Sequence, residues 1–266
     1  MAGTFEMICC EAVSKRWAEN GFGNSSRTLE DVSFSVAEGE FVCLLGPSGC
    51  GKTTLLNIIA GFIPPSLGRV LFNRRPVTGP GPDRGVVFQD PTLFPWLTVT
   101  QNIAFGLINQ RVPEPKRQAK VDDALRLVGL ESHANAYPHE LSGGMRQRIA
   151  LARVLVLEPQ ALLMDEPFSA LDAISRERLQ DELLGIWQRG RISVIFVTHN
   201  AEEAAYLADR VILLGPPPRS ICGVIPVPLP RPRSRNCEAL YKLVQLLRQQ
   251  LGDLPCCIPT ASKKEF

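Results

Sequence analysis

The sequence predicts an α/β protein: a parallel sheet at its centre, an antiparallel β layer at the N-terminus and a helical insertion between strands. Three observations carry that expectation. Residues 46–54 read GPSGCGKTT between an apolar strand-like run, Phe41–Leu45, and a helical stretch, Leu55–Ala60. Residues 161–165, ALLMD, form an unbroken buried-strand pattern that ends in carboxylates. Beyond them strand-like and helical stretches alternate, which is how a parallel sheet covered by helices is written in sequence.

Taken in order, Glu6–Val13 and Ser33–Val36 read as strands of the antiparallel layer, with turns near Gly21-Phe22-Gly23 and at Glu38-Gly39. A short strand, Arg69–Phe72, follows Pro64-Pro65, and Val86-Val87-Phe88 leads into Gln89. Residues 90–158 read as the helical insertion. Within it Gln101–Asn109 has helical spacing, Pro115 opens a helix closed by Gly129, and Leu141-Ser142-Gly143-Gly144 leads into another carrying Ile149, Ala152 and Val156. After Ala161–Asp165 come a helix over 173–189, a strand over 192–198, a helix over 200–208 and a strand over 211–214. The tail, residues 231–266, follows proline-rich connectors at 215–218 and 226–232. Leu240, Val244, Leu247 and Leu251 predict one amphipathic helix there, packed on the surface of a domain spanning residues 5–230.

Composition narrows the possibilities without choosing among them. In 266 residues the net charge is +2 and no Lys/Arg block dominates, so there is no electrostatic footprint for nucleic acid or anionic lipid. No apolar run approaches the roughly 20 residues needed to span a bilayer, and the N-terminus lacks a basic segment followed by a long apolar one. A soluble, cytoplasmic chain is the expectation. Of eight cysteines, Cys9-Cys10 and Cys256-Cys257 are adjacent pairs, and Cys43, Cys50, Cys222 and Cys237 show no C-x-x-C spacing. Reduced thiols fit better than zinc, because His133, His139 and His199 are not interleaved with cysteines at ligand spacings.

The glycine-rich run fits the phosphate-cradling template G-x-x-x-x-G-K-[ST] at each fixed position: Gly46, Gly51, Lys52 and Thr53. Gly46, Gly49 and Gly51 let the backbone curl so that successive N–H groups and a helix N-terminus converge on phosphate oxygens. Pro47, Ser48, Cys50 and Thr54 complete the cradle. Cys50 contributes its backbone N–H rather than its thiol. Lys52 reaches the β- and γ-phosphates, and Thr53 holds Mg²⁺ through its hydroxyl. The core is therefore expected to be that of a P-loop NTPase, with ATP and Mg²⁺ as cofactors. Asp165, at the end of a buried strand, suits Mg²⁺ held directly or through water; Glu166, one residue on, can polarise a water for attack on the γ-phosphate. In isolation, an Asp-Glu pair after a strand reads as a solvated helix start.

Residues 141–148, LSGGMRQR, resemble the signature motif of the ATP-binding cassette ATPases, and they stand where that family has it, between the phosphate loop and the Asp-Glu strand. Gln89 is similar to the family's Q-loop glutamine, Ser169-Ala170-Leu171-Asp172 to its D-loop and His199 to its switch histidine. Trp17 resembles the aromatic residue that stacks on adenine, with Phe22 as a rival. The resemblance covers residues 5–230. It implies ATP hydrolysis with Glu166, His199 and Gln89 as catalytic residues, and metal contacts from Thr53, Gln89 and Asp165. It also implies a head-to-tail homodimer in which Ser142, Gly143, Gly144 and Asp172 complete a nucleotide site. Taken alone, Ser-Gly-Gly reads as a helix cap, and His199 as a residue at the start of a helix. Asn200 departs from the family, which often has Asp there; it remains a good N-cap.

Residues 89–99, QDPTLFPWLTV, and Pro138-His139-Glu140-Leu141 resemble the importer branch that serves nitrate, sulfonate and taurine, as do residues 164–172 and 208–211. That branch implies a permease docked beside Gln89 on the apolar patch Phe94-Pro95-Trp96-Leu97, an external solute-binding protein, a peripheral position on the cytoplasmic face of the membrane and no nucleic-acid partner. An exporter ATPase shares the same catalytic residues. A cassette acting on nucleic acid or the ribosome usually has a second cassette or a long coiled-coil insertion, and neither is present.

Overall fold

The computed structural model describes residues 5–18, 25–169, 171–190, 192–216 and 220–253. The elements are β1 (Glu6–Ala18), β2 (Ser25–Ala37), β3 (Phe41–Leu45), α1 (Lys52–Ala60), β4 (Leu67–Phe72), β5 (Arg75–Pro76), β6 (Arg84–Val87), α2 (Val99–Asn109), α3 (Glu114–Val128), α4 (Gly143–Leu155), β7 (Ala161–Asp165), α5 (Ala173–Arg189), β8 (Ser193–Thr198), α6 (Ala201–Leu207), β9 (Arg210–Leu214), β10 (Ile221–Pro226) and α7 (Glu238–Gly252). Short 3₁₀ turns lie at Glu131–His133 and Pro138–Glu140.

Two sheets form. The first is antiparallel, in the order β2-β1-β4-β5; the second runs β10-β9-β3-β8-β7-β6, parallel from β9 to β6 with β10 antiparallel at its edge. Burial explains the central position of β3. All five of its residues are buried: Phe41, Cys43 and Leu45 join one core with α5, α6 and α7, while Val42 and Leu44 join another with β1, β2 and α1. A strand covered on both faces reads as a continuous apolar run, because the period-2 alternation distributes residues between two dry faces. The helical insertion has a third core, built from α2, α3 and α4 around Val99, Ile103, Val121, Leu125 and Ile149.

Several elements differ from the sequence expectation. β1 continues past Val13 to Ala18, across a register shift next to Ala12, whose φ is 51°. The bulge reverses the side-chain alternation there, so the polar run Ser14-Lys15-Arg16 does not end the strand. β2 likewise begins at Ser25 rather than Ser33. β10 is not expected from the sequence, since Gly223 and Pro226 weaken a strand pattern; an antiparallel edge tolerates both. α7 is capped by the Cys237 thiol accepting the Leu240 N–H, and it buries Leu240, Val244 and Leu247 in the core that also holds Phe41. The expected turn at residues 21–23, together with Phe22, Ala170, Pro217, Pro218, Cys256 and Cys257, lies outside the described residues.

Candidate nucleotide-binding site

The strand order assembles the site. β8 lies between β3 and β7, pairing Leu45 with Thr198 and Val197 with Asp165. The carboxyl ends of three strands therefore meet where residues 46–53, 165–166 and 198–200 begin, which is where open α/β sheets bind ligands.

Two different constraints place the loop's glycines. A Cβ on Gly46 would lie 2.2 Å from the Leu214 carbonyl oxygen, and Gly51 has φ of 97° with the Thr28 carbonyl oxygen 2.9 Å from where its Cβ would be. Only glycine fits either place. Gly49 differs from both. Its Cβ would meet nothing within 4 Å, so crowding within this chain does not require glycine there; its φ of 81°, in the left-handed region, does. Cys50 turns inward, buried in the core shared by β1, β2 and α1, and burial pushes its thiol up from the usual range. Lys52 is buried; its ammonium donates to the carbonyls of Gly46 at 2.8 Å and Pro47 at 2.9 Å and stands 3.8 Å from Glu166 Oε1. The hydroxyl of Thr53 donates to Asp165 Oδ1 at 3.1 Å. Burial pushes the Asp165 carboxyl up, with the Glu166 charge adding to the effect and Thr53 and Lys52 opposing it. A buried carboxylate beside a hydroxyl, both hard oxygen donors, fits a Mg²⁺ ion that keeps several waters and takes its remaining ligands from phosphate.

Glu166 links the phosphate loop to the strand-end histidine. Its φ of 42° is in the left-handed region, a strained conformation for this residue type, held by its N–H donating to the Val197 carbonyl at 3.0 Å. Oε2 lies 2.8 Å from His199 Nδ1. A carboxylate accepts, so the ring carries its proton on Nδ1 in this arrangement. Asn200 caps α6 by accepting the Glu202 N–H, and Asp172 caps α5 by accepting the Ser175 N–H, which holds the exposed Asp172 carboxyl below its usual value.

Among the described residues, the remaining predicted residues make no side-chain hydrogen bond to this centre. Ser142 caps α4, its hydroxyl accepting the Met145 N–H at 3.3 Å. Gly143 and Gly144 follow, and neither is demanded by the fold: a Cβ on Gly143 would meet nothing nearer than Arg146 at 4.0 Å, and one on Gly144 would touch Leu171 at an ordinary 3.5 Å. Gln89 is exposed in a cavity of about 440 Å³ with Gly143, Gln147, Ser169 and Leu171. Among the described residues no hydrogen bond links it to Thr53 or Asp165, so the structure brings together two of the three expected metal contacts. Trp17 is 44% exposed, with the Lys15 ammonium 4.6 Å from its ring centroid. It pairs with Ser26 on β2, two residues from Thr28, whose carbonyl abuts Gly51.

The model of the ABC transporter family matches residues 29–169, more than half of the chain. The chain belongs to that family. Over 88% of its length it is 46% identical to the aliphatic sulfonates import ATP-binding protein SsuB of Bacillus licheniformis, covering 92% of that protein. It is 47% identical to the nitrate import ATP-binding protein NrtD of Synechococcus elongatus, over 78% of this chain and 77% of the relative. Among solved structures, a dimeric ATP-binding cassette in a post-hydrolysis state with ADP and Pi superposes with a TM-score of 0.74 at 29% identity, covering 83% of this chain and 99% of that one.

This ABC transporter ATPase also holds polar residues near its site that no sequence motif marks. Glu203 is buried on α6 and accepts the Thr198 hydroxyl at 2.5 Å. Gln180 on α5 is buried and donates to Glu203. Arg233 in the tail is buried against the last turn of α6, donating to the carbonyls of Ala205, Tyr206 and Ala208. The available signal was a carboxylate beside the otherwise apolar run Ala204-Ala205-Tyr206-Leu207, but its partners come from distant parts of the chain.

Proposed function

We propose that this ABC ATPase energises an importer of small anions such as nitrate, sulfonate or taurine, as a peripheral homodimer on the cytoplasmic face of the membrane beneath a permease. An external solute-binding protein delivers the anion. The single observation that carries the catalytic assignment is the placement of Glu166 between Lys52 and His199.

Lys52 and the N–H groups of residues 46–54 bind and orient the β- and γ-phosphates. Apart from its chain neighbours, no atom lies within 4 Å of where a Cβ on Gly49 would be, which leaves room for a phosphate beside the loop. Thr53 and Asp165 would hold Mg²⁺, which when bound would neutralise negative charge on the phosphates. Glu166 accepts the proton of the attacking water as oxygen bonds to the γ-phosphorus and the bond to ADP breaks. His199 orients Glu166 and senses the γ-phosphate. Trp17 stacks on adenine, and Gln89 relays occupancy of the site to the permease.

Two features support the assembly. Gly143 and Gly144 leave the N-terminus of α4 bare without any need in their own chain, which suits the close approach of a second subunit's phosphate. Elsewhere in the insertion, Phe94 packs 4.5 Å from Phe105 and 5.7 Å from Trp96, and Trp96 is 69% exposed. Phe94 and Phe105 line a groove of about 410 Å³ with Asn109, Arg153 and Leu157, suited to an amphipathic permease helix. No helix among the described residues is long and apolar enough to cross a membrane.

Purification of the tagged chain from detergent-solubilised membranes, with partners identified by mass spectrometry, tests the assembly; the expected companion is a multispanning permease without its own cassette. Recovery only with ribosomes or nucleic-acid proteins would refute it. Glu166→Gln is expected to bind ATP normally, to hydrolyse it at least about 100-fold more slowly and to accumulate as an ATP-bound dimer. Wild-type turnover in that variant would remove Glu166 from its role.

A further inference from the structure

The turn that carries His199 is fixed from behind. The ring is exposed, and among the described residues its one hydrogen-bond contact is with Glu166. Its neighbours in sequence are held more firmly. The Thr198 hydroxyl donates to Glu203 Oε2 at 2.5 Å and accepts the Asn200 N–H at 3.0 Å, so residues 198 and 200 are both tied to one buried carboxylate. The other oxygen of Glu203 accepts the Gln180 amide at 3.3 Å and faces the Arg176 guanidinium at 3.8 Å. Gln180 has no freedom to flip: its carbonyl oxygen accepts from Arg235 in the tail at 2.8 Å, and Arg235 also binds Asp181 at 2.7 Å and lies over the Tyr206 ring. One chain of contacts thus runs from the tail through α5 and α6 to the strand end that presents the histidine.

Packing gives no reason for a carboxylate here. The other buried residues of α6 are Ala201, Ala204, Ala205, Tyr206 and Leu207, of which only Tyr206 has a polar side-chain atom, its hydroxyl donating to Asp181. A buried charge is poor at stabilising a fold compared with a well-packed apolar side chain. What a charged acceptor supplies is direction: a short, charge-assisted hydrogen bond holds the Thr198 hydroxyl in one rotamer. Glu203 lines a small cavity of about 50 Å³ with Glu166, Arg176, Thr198, His199 and Asn200, and among the described residues no hydrogen bond joins it to Glu166 or His199.

We infer that Glu203 is a positioning residue for ATP hydrolysis: through Thr198 it fixes the 198–200 turn so that His199 meets Glu166 and the γ-phosphate. The role rests on the proposed part of His199 in hydrolysis.

The test uses the full chain with steady-state ATP hydrolysis, equilibrium ATP affinity and thermal midpoint measured for each variant. Glu203→Ala is expected to lower kcat by about 10- to 100-fold, as a displaced catalytic group does, while KM and ATP affinity stay within about twofold. Glu203→Gln keeps an oxygen for the Thr198 hydroxyl but turns an amide N–H₂ toward the Gln180 amide; paired with Gln180→Glu, which offers that N–H₂ an acceptor and keeps one for Arg235, it should recover kcat to within about threefold of wild type. Thr198→Val, nearly unchanged in volume, should match Glu203→Ala, and the double variant should be no slower than either single one. Wild-type kcat in Glu203→Ala, equal slowness in the paired Glu203→Gln and Gln180→Glu variant, or a parallel loss of ATP affinity would overturn the inference. If Glu203→Ala does not fold, wild-type kcat in Thr198→Val overturns it alone. His199→Ala separates the two levels: full activity there removes the histidine's role and Glu203's with it, whereas a slow His199→Ala beside a normal Glu203→Ala removes Glu203 only.

Discussion

Replacing Gly144 by alanine should make the isolated protein more stable and the enzyme worse. The added methyl would meet only Leu171, at 3.5 Å, an ordinary van der Waals distance, and Gly144 does not adopt a positive φ. Alanine in a helix is favoured over glycine by about 0.5–1 kcal/mol, less in the first turn, where Gly144 is the second residue of α4. For a chain of this size that corresponds to a rise in Tm of about 1–3 °C. The same methyl stands over the N–H groups at the start of α4. If a partner's γ-phosphate must approach them, it is displaced by roughly the length of a C–C bond, and turnover should fall at least about tenfold. Thermal unfolding and urea denaturation without nucleotide measure the first effect. ATP hydrolysis, and ATP-driven dimer formation in a Glu166→Gln background, measure the second. A lower Tm would mean that the glycine is required by its own fold, and wild-type hydrolysis with wild-type dimerisation would mean that no phosphate approaches it.

Three other substitutions test separate parts of the structure. Asp165→Asn should stabilise the nucleotide-free protein at neutral pH: burial raises the native carboxyl above 3.8, so the native state holds the extra proton and stability falls as pH rises from 3.8 through the native value. The gain from Asn, read by urea denaturation, should vanish below pH 3.8, whereas Mg²⁺-dependent ATP hydrolysis should be lost at every pH; a destabilised Asn variant at pH 7 would refute the assignment. Phe41→Ala removes a fully buried ring packed edge-on to Trp187 at 5.8 Å and tilted against Phe196 at 6.1 Å, and we predict a loss of about 3–5 kcal/mol in chemical denaturation. Gly46→Ala, in contrast to Gly144→Ala, drives a methyl to 2.2 Å from the Leu214 carbonyl oxygen, so both Tm and ATP affinity, measured by calorimetry, should fall.

The parts of this protein legible in its sequence are those whose geometry is local. The phosphate loop, the Asp165-Glu166 pair and the capped start of α4 each lie within a few consecutive residues, and their chemistry follows from residue type and spacing. β7 and α5 match the expectation to the residue because an unbroken apolar run and a sustained helical period are strong local signals. Even within the phosphate loop the reason for each glycine is not local: Gly49 answers to its own backbone angle, but Gly46 answers to Leu214 on another strand. Tertiary structure decided what periodicity does not encode, namely which strands are neighbours. Only the order β3-β8-β7 brings Lys52, Glu166 and His199 within reach of one another, from distant parts of the chain. Nor does the alternation in β1 survive the bulge at Ala12, or the pattern in β10 its glycine and proline, because sheet pairing across the chain supplies the stabilisation that local propensity lacks. Glu203 makes the same point about polar groups. Its sequence context shows a charge beside alanines, but its meaning depends on partners at 176, 180, 198 and, through Gln180, 235, and a buried carboxylate is defined by the groups that satisfy it.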